Sequence, residues 1–181
     1  MPNAEIWISV DIEADGPIPG DYSMLSLGAC VVGAEETQFY VELQPISTAF
    51  VPAALVVSGL DRTALQTTGV LPVLAMQHFA AWVQQVAVAR TPVFVAFNAP
   101  FDWMFVQWYF AHFGVDNPFG VSALDIKAYA MGKLALTRWA QTSRSNLAAQ
   151  FTQGRTLTHN ALGDAIEQAH TFRAIHAFRQ E

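Results

Sequence analysis

At 181 residues the chain is long enough to bury one core without disulfides or structural zinc, and its single cysteine, Cys30, cannot form an intramolecular bridge. A formal net charge of -6 argues against a protein that grips long nucleic acid through a broad basic surface. No apolar run reaches the roughly 18 residues needed to cross a bilayer, and Met1 to Glu5 lacks a basic, apolar leader, so a soluble, cytoplasmic protein without membrane contact is expected.

In chain order, Glu5 to Glu13 alternates as a strand does. Ile6, Ile8, Val10 and Ile12 project to one face and Trp7, Ser9, Asp11 and Glu13 to the other, which sets two carboxylates side by side. The segment Asp15 to Asp21 is dense in turn formers, with Asp15 expected to cap the turn. Met24 to Val32 and Thr37 to Leu43 follow as strands joined by a short turn, giving an antiparallel meander that encloses Cys30 as an inert thiol. Pro72 to Ala89 predicts a helix with Leu74, Phe79, Trp82, Val83 and Val86 as its apolar stripe. Pro92 to Phe97 is short, apolar and β-branched, as a buried strand is. A helix over Phe101 to Phe113, a loop through Pro118, a short strand near Val121 to Asp125 and closing helices, the last from Ala161, complete the pattern. A meander followed by strands alternating with helices predicts an α/β fold: a mixed sheet of antiparallel and parallel strands, flanked by helices, in a single domain over residues 1–181.

Charge is unevenly distributed along this pattern. Nine acids and no lysine or arginine precede Arg62, whereas the rest of the chain holds all 9 basic residues against 6 acids. Lys127, Lys133, Arg138, Arg144 and Arg155 crowd into one stretch, which either sets positive charge beside an acidic pocket or simply solvates a helical surface. Trp103, Trp108, Tyr109 and Phe110 belong to the core or, if exposed, offer a homodimer surface.

Three separated acidic motifs stand out: Asp11-Ile12-Glu13 on the first strand, Asn98-Ala99-Pro100-Phe101-Asp102 after a buried strand, and His159-Asn160-Ala161-Leu162-Gly163-Asp164 entering the last helix. Each has a plain structural reading alone: a solvated strand edge for the first, an acid in a helical first turn for Asp102, an exposed helix residue for Asp164, a surface or capping side chain for His159. Together they suggest one site. Carboxylate oxygens without thiols suit Mg²⁺ or Mn²⁺ and not zinc. Two such ions can stabilise the attacking and leaving oxygens of a phosphodiester displacement.

In these motifs, and over nearly its whole length, the chain resembles the DEDDh exonucleases of the ribonuclease H-like superfamily, which include polymerase proofreading subunits, ribonuclease T and oligoribonuclease. Ser26-Leu27-Gly28-Ala29 resembles the family's second strand, Ser58-Gly59-Leu60 its loop before the long helix, and Leu124-Asp125 the segment before a further helix. The resemblance implies 3′–5′ hydrolysis of single-stranded RNA or DNA to nucleoside 5′-monophosphates with two Mg²⁺ ions, for which Mn²⁺ can substitute. It further implies that Asp11, Glu13 and Asp164 hold the metal at the attacking water, that Asp11 bridges to a second ion held by Asp102, and that His159 is the general base. The substrate-contacting residues it implies are Ala14 and Gly16 at the terminal sugar and Pro17, Val57 and Phe101 on sugar or base, with Ser58 and Asn98 beside them.

Two positions depart from the family pattern: Phe97 stands where many relatives have histidine, and Ala14-Asp15 where they often have Thr-Thr or Thr-Pro. Both leave the choice between RNA and DNA open, since that choice depends on contacts to the 2′-hydroxyl. The leading expectation is a stand-alone enzyme on short single-stranded 3′ ends. A polymerase-bound proofreading subunit and a non-catalytic nucleic-acid-binding module are the alternatives.

Overall fold

A computed structural model describes residues 4–152 and 159–179. Five strands, β1 (Glu5–Ala14), β2 (Met24–Val31), β3 (Ala34–Glu42), β4 (Thr91–Ala96) and β5 (Ala123–Asp125), form one sheet in the order β3-β2-β1-β4-β5. β1, β2 and β3 pair antiparallel as the expected meander, and β4 and β5 add in parallel beside β1. The mixed α/β sheet flanked by helices is therefore the architecture of the chain.

Alternation along β1 decides the layers. Ile8, Val10 and Ile12 face a core shared with α3 (Pro72–Ala87) and α4 (Ala99–His112). Trp7 lies on the opposite face, which α5 (Ile126–Lys133), α6 (Arg144–Phe151) and α7 (Ala161–Ala177) cover. Helix α3 turns Ala75, Met76, Phe79, Ala80 and Val83 inward, an i, i+3, i+4 series. Leu74, assigned to that stripe from the sequence, is 41% exposed, because the buried arc is centred one residue further on at Ala75 and Met76. Tyr109 and Phe110 of α4 are enclosed in the core, and Trp103 and Trp108 pack against it.

Two short helices were not anticipated: α1 (Pro52–Ser58) and α2 (Arg62–Thr68), so Ser58-Gly59-Leu60 joins one short helix to another and does not lead into the long one. Gly59 closes α1 in the left-handed conformation. Asp61 caps α2 by accepting from the Thr63 and Ala64 amides at 3.0 Å. Asp125, at the end of β5, caps two helices at once: Oδ1 accepts from Ala128 of α5 and Oδ2 from Ala99 of α4, at 2.7 and 2.8 Å.

Gly28 fixes how closely α7 approaches the sheet. It is the cross-strand partner of Asp11, so its missing side chain opens space on the face to which Asp11 points. A Cβ there would stand 2.2 Å from the Leu162 nitrogen and 2.3 Å from the Ala161 carbonyl carbon, both backbone atoms of the first turn of α7. Gly28→Ala is therefore expected to destabilise the protein by about 3 kcal/mol or more, measured by urea unfolding. A variant as stable as the parent would show that α7 is free to shift.

Candidate active site

The parallel pairing of β1 with β4 ends at Ser9 and Val95. Beyond that point the strands separate, and the buried Gln168 of α7 bridges them, donating Nε2–H to the Val10 carbonyl at 2.8 Å and accepting from the Phe97 amide at 2.6 Å. Such a parting at the carboxyl ends of parallel strands opens a crevice in an α/β sheet. Ser9 Oγ and Cys30 Sγ both reach the Ala165 carbonyl, at 2.8 and 3.5 Å, and seat α7 over this end of β1.

Acids converge here from both helical layers. Asp11 and Glu13 come from β1, Asp102 from the first turn of α4 and Asp164 from the first turn of α7. Asp102 Oδ1 accepts from the Ile12 amide at 3.1 Å, which ties α4 to the strand between the two β1 acids. Asn98, in the left-handed conformation at φ 67°, makes the sharp turn from β4 into α4. On the other side, Asn160 caps α7 by accepting from the Gly163 amide at 3.0 Å, and His159 precedes it at φ 52°. Ligand atoms of Glu13, His159 and Asp164 all lie within 4.8 Å of one another, close enough to share a cation. Asp11, Asp102 and Asp164 are buried, Glu13 half-buried and His159 exposed.

Burial of so many carboxylates perturbs them. Asp11 is held well above the usual range, first by desolvation and then by the Asp102 charge, with Arg144 opposing. Desolvation also raises Asp102 to about 7, against the pull of backbone donors. Glu13 rises to about 7 through desolvation and the Asp164 charge. Folding thus raises Glu13 and Asp102 from their ordinary 4.5 and 3.8 to about 7, so between the ordinary and the raised values the folded chain binds more protons than the unfolded one. The sign follows: in chelator, stability is expected to decline as pH rises from about 4 through about 7. Urea unfolding at about pH 5.5 and about pH 8 checks this, a lower midpoint at the higher pH being the expected result.

Of the basic residues expected either beside an acidic pocket or on a solvated helical surface, Arg144 reaches into the pocket. Its guanidinium lies 3.8 Å from Asp11 Oδ1, 3.6 Å from Glu167 Oε2 and 5.0 Å from the centre of the Phe97 ring. Phe97, at the position where many relatives carry histidine, is thus the floor on which this cation rests. Lys127 instead stacks on Trp139 at 4.4 Å, and Arg155 lies outside the described residues. Glu167, with its carboxyl raised by burial, was not singled out; its pairing with Arg144 is visible only once α6 and α7 pack together.

Beside the acids runs an apolar cleft of about 330 Å³, lined by Ile12, Glu13, Ala14, Gly16, Pro17, Val51, Ala54, Val57 and Phe101. Five of the seven residues expected to contact substrate, Ala14, Gly16, Pro17, Val57 and Phe101, line it. The other two do not. Ser58 is buried and bonds within the end of α1, while Asn98 is exposed and serves the β4–α4 turn. Asp15, expected to cap its turn, is fully buried and paired with Arg62 at 2.7 Å. Its Oδ1 does accept from the Ser23 amide across the turn, but the neighbouring guanidinium makes the residue part of the interior.

A five-stranded mixed sheet with acids meeting at its central strand is the arrangement of ribonuclease H-like nucleases. No protein-family model matches the sequence. Over 172 residues, covering 94% of this chain and 91% of the relative, it is 46% identical to the 3′-5′ DNA exonuclease Cap18 of Escherichia coli. The fold is similar to the nuclease domain of 3′hExo, a DEDDh family member, bound to rAMP, with TM-score 0.76 and 13% identity over 94% of this chain and 92% of that one. It is similar also to E. coli exonuclease I in complex with an oligonucleotide, with TM-score 0.70 and 14% identity over 95% of this chain and 40% of the other. The chain belongs to the family of that 3′–5′ exonuclease, is itself a 3′–5′ exonuclease, and has the fold of a DEDDh nuclease.

Proposed function

We propose that the enzyme releases nucleoside 5′-monophosphates one at a time from 3′ ends of single-stranded DNA, short strands in particular, using two divalent cations, Mg²⁺ or in its place Mn²⁺. The observation that carries this reading is the meeting of Asp11, Glu13, Asp102 and Asp164 from three elements at one end of β1, with His159 within reach of Glu13 and Asp164. The donor set fits hard cations: oxygen ligands dominate, and among the described residues the buried carboxylates outnumber the guanidinium of Arg144 beside them. Bound there, the cations would supply Lewis-acid stabilisation to the attacking and leaving oxygens.

The chain's own residues supply the rest. Asp11, Glu13 and Asp164 would hold one cation, and Asp102, with Asp11, the other. His159, exposed at the mouth, would take a proton from the attacking water on an imidazole nitrogen. The cleft of Ala14, Gly16, Pro17, Val57 and Phe101 would receive the terminal nucleoside through apolar contact, which reads no base sequence. DNA is favoured because the E. coli relative is a DNA exonuclease. The lone, buried Cys30 accords with a reducing cytoplasm.

Strands of DNA and RNA in single and double form, each labelled at the 5′ end, test the substrate. The expected result is a ladder shortening from the 3′ end fastest on single-stranded DNA, with 5′-monophosphates as products. Internal cuts, or products bearing a 3′-phosphate, would overturn the reading.

A further inference from the structure

The apolar cleft has one wall that the core does not hold. Val51, Ala54 and Val57 line it from α1 and the residue before it, yet the only buried residue in this seven-residue helix is Ser58. A helix this short has little stability alone and needs tertiary anchoring. Here the anchoring is polar. Among the described residues, the long-range hydrogen bonds of segment 46–51 end on Asp15, Ser23 or Arg62. The Val51 amide donates to the Asp15 carbonyl at 2.7 Å. The Ile46 and Ser47 amides donate to Ser23 Oγ at 3.0 and 3.4 Å, while Arg62 donates to the Ser47 carbonyl and lies 5.3 Å from the centre of the Phe50 ring. Asp15 joins these partners, with Oδ1 on the Ser23 amide at 2.5 Å and Oδ2 on Arg62 Nε at 2.7 Å. It also sits two residues beyond Glu13 on the same chain segment, and its amide donates to the Ser23 carbonyl at 3.0 Å.

We infer that the buried pair Asp15–Arg62 is a positioning device that locks the α1 wall of the cleft to the strand bearing Glu13, and so sets how tightly the terminal nucleotide is held. The inference rests on the proposed role of the cleft. A bidentate, planar arginine is suited to this task because one guanidinium fixes a carboxylate and a carbonyl in a single plane; lysine keeps the charge and loses the fork. Loosening the wall weakens contacts to the nucleotide in ground and transition states alike, which raises KM and leaves kcat nearly unchanged.

The test is steady-state kinetics on a 5′-labelled single-stranded DNA decamer, with thymidine 5′-monophosphate as competing product. Arg62→Lys is expected to raise KM and the inhibition constant of the monophosphate each by about tenfold, with kcat within about threefold of the parent. Since removing one partner of a buried pair strands the other charge, the double variant Asp15→Asn with Arg62→Met serves as the neutral control and should show the same split. Hydrogen exchange should quicken over residues 51–58 in both. Unchanged KM and unchanged exchange in folded variants would overturn the inference. Val57→Trp in the parent separates the two ideas: if filling the cleft leaves KM unchanged, the cleft is not the nucleotide site and the underlying reading fails. If Val57→Trp raises KM while the pair variants do not, the positioning role alone fails.

Discussion

Asp11→Asn is expected to lose activity by more than about 100-fold while gaining stability in chelator, a combination that a merely structural residue does not give. The loss follows from its proposed place as a ligand to both cations, given that it feels the charges of Asp102, Asp164 and Glu13, and that in metal sites generally even groups that only support a ligand cost about 10–100-fold when removed. The gain follows from its surroundings. Burial and the charge of Asp102 hold the Asp11 carboxyl well above its usual range, so ionising it at neutral pH costs free energy that the amide does not incur. Arg144 at 3.8 Å returns part of that cost, but at a distance beyond hydrogen bonding. Thermal unfolding in chelator near neutral pH, paired with the rate on a single strand, checks both parts. A variant that is both less stable and less active would show that Asp11 is needed for the fold.

His159→Ala is expected to lower kcat by about 10²–10⁴-fold, the usual worth of a positioned general base, with KM little changed. Its ring lies in the cluster with Glu13 and Asp164, so a second role as a cation ligand is the competing reading. The two separate cleanly. A base leaves Mn²⁺ affinity intact when removed, and because His159 is exposed, imidazole added to the buffer should restore part of the rate. Lost Mn²⁺ affinity without chemical rescue would reassign His159 as a ligand.

The strand that carries the chemistry was legible because period-two alternation over Ile6, Ile8, Val10 and Ile12 leaves no doubt which side chains share a face. Asp102 and Asp164 were legible as acids at helix starts, but their meeting required the parting of β1 and β4 and the close approach of α7 over Gly28, which no local pattern encodes. Helices α1 and α2 escaped notice for a related reason. The first contains no buried apolar side chain and the second buries only Leu65 and Arg62, so neither writes a hydrophobic stripe into the sequence. Their visible signals were smaller: Pro52 opening α1, Gly59 closing it and Asp61 capping α2. Arg144 was half legible, since its basic stretch allowed a place beside an acidic pocket as well as on solvated surface, whereas Arg62 was hidden more deeply, because a basic residue in a helix reads as surface until a buried carboxylate is found opposite it.

The acid cluster as a cation-dependent centre for 3′-end hydrolysis is tested most directly by following a 5′-labelled single strand with parent protein and Asp164→Asn, each with Mg²⁺, Mn²⁺ or chelator. The expected result is stepwise shortening from the 3′ end by the parent with either cation, and none in chelator or with the variant. Shortening that persists in chelator, or that survives Asp164→Asn at the parental rate, would contradict it.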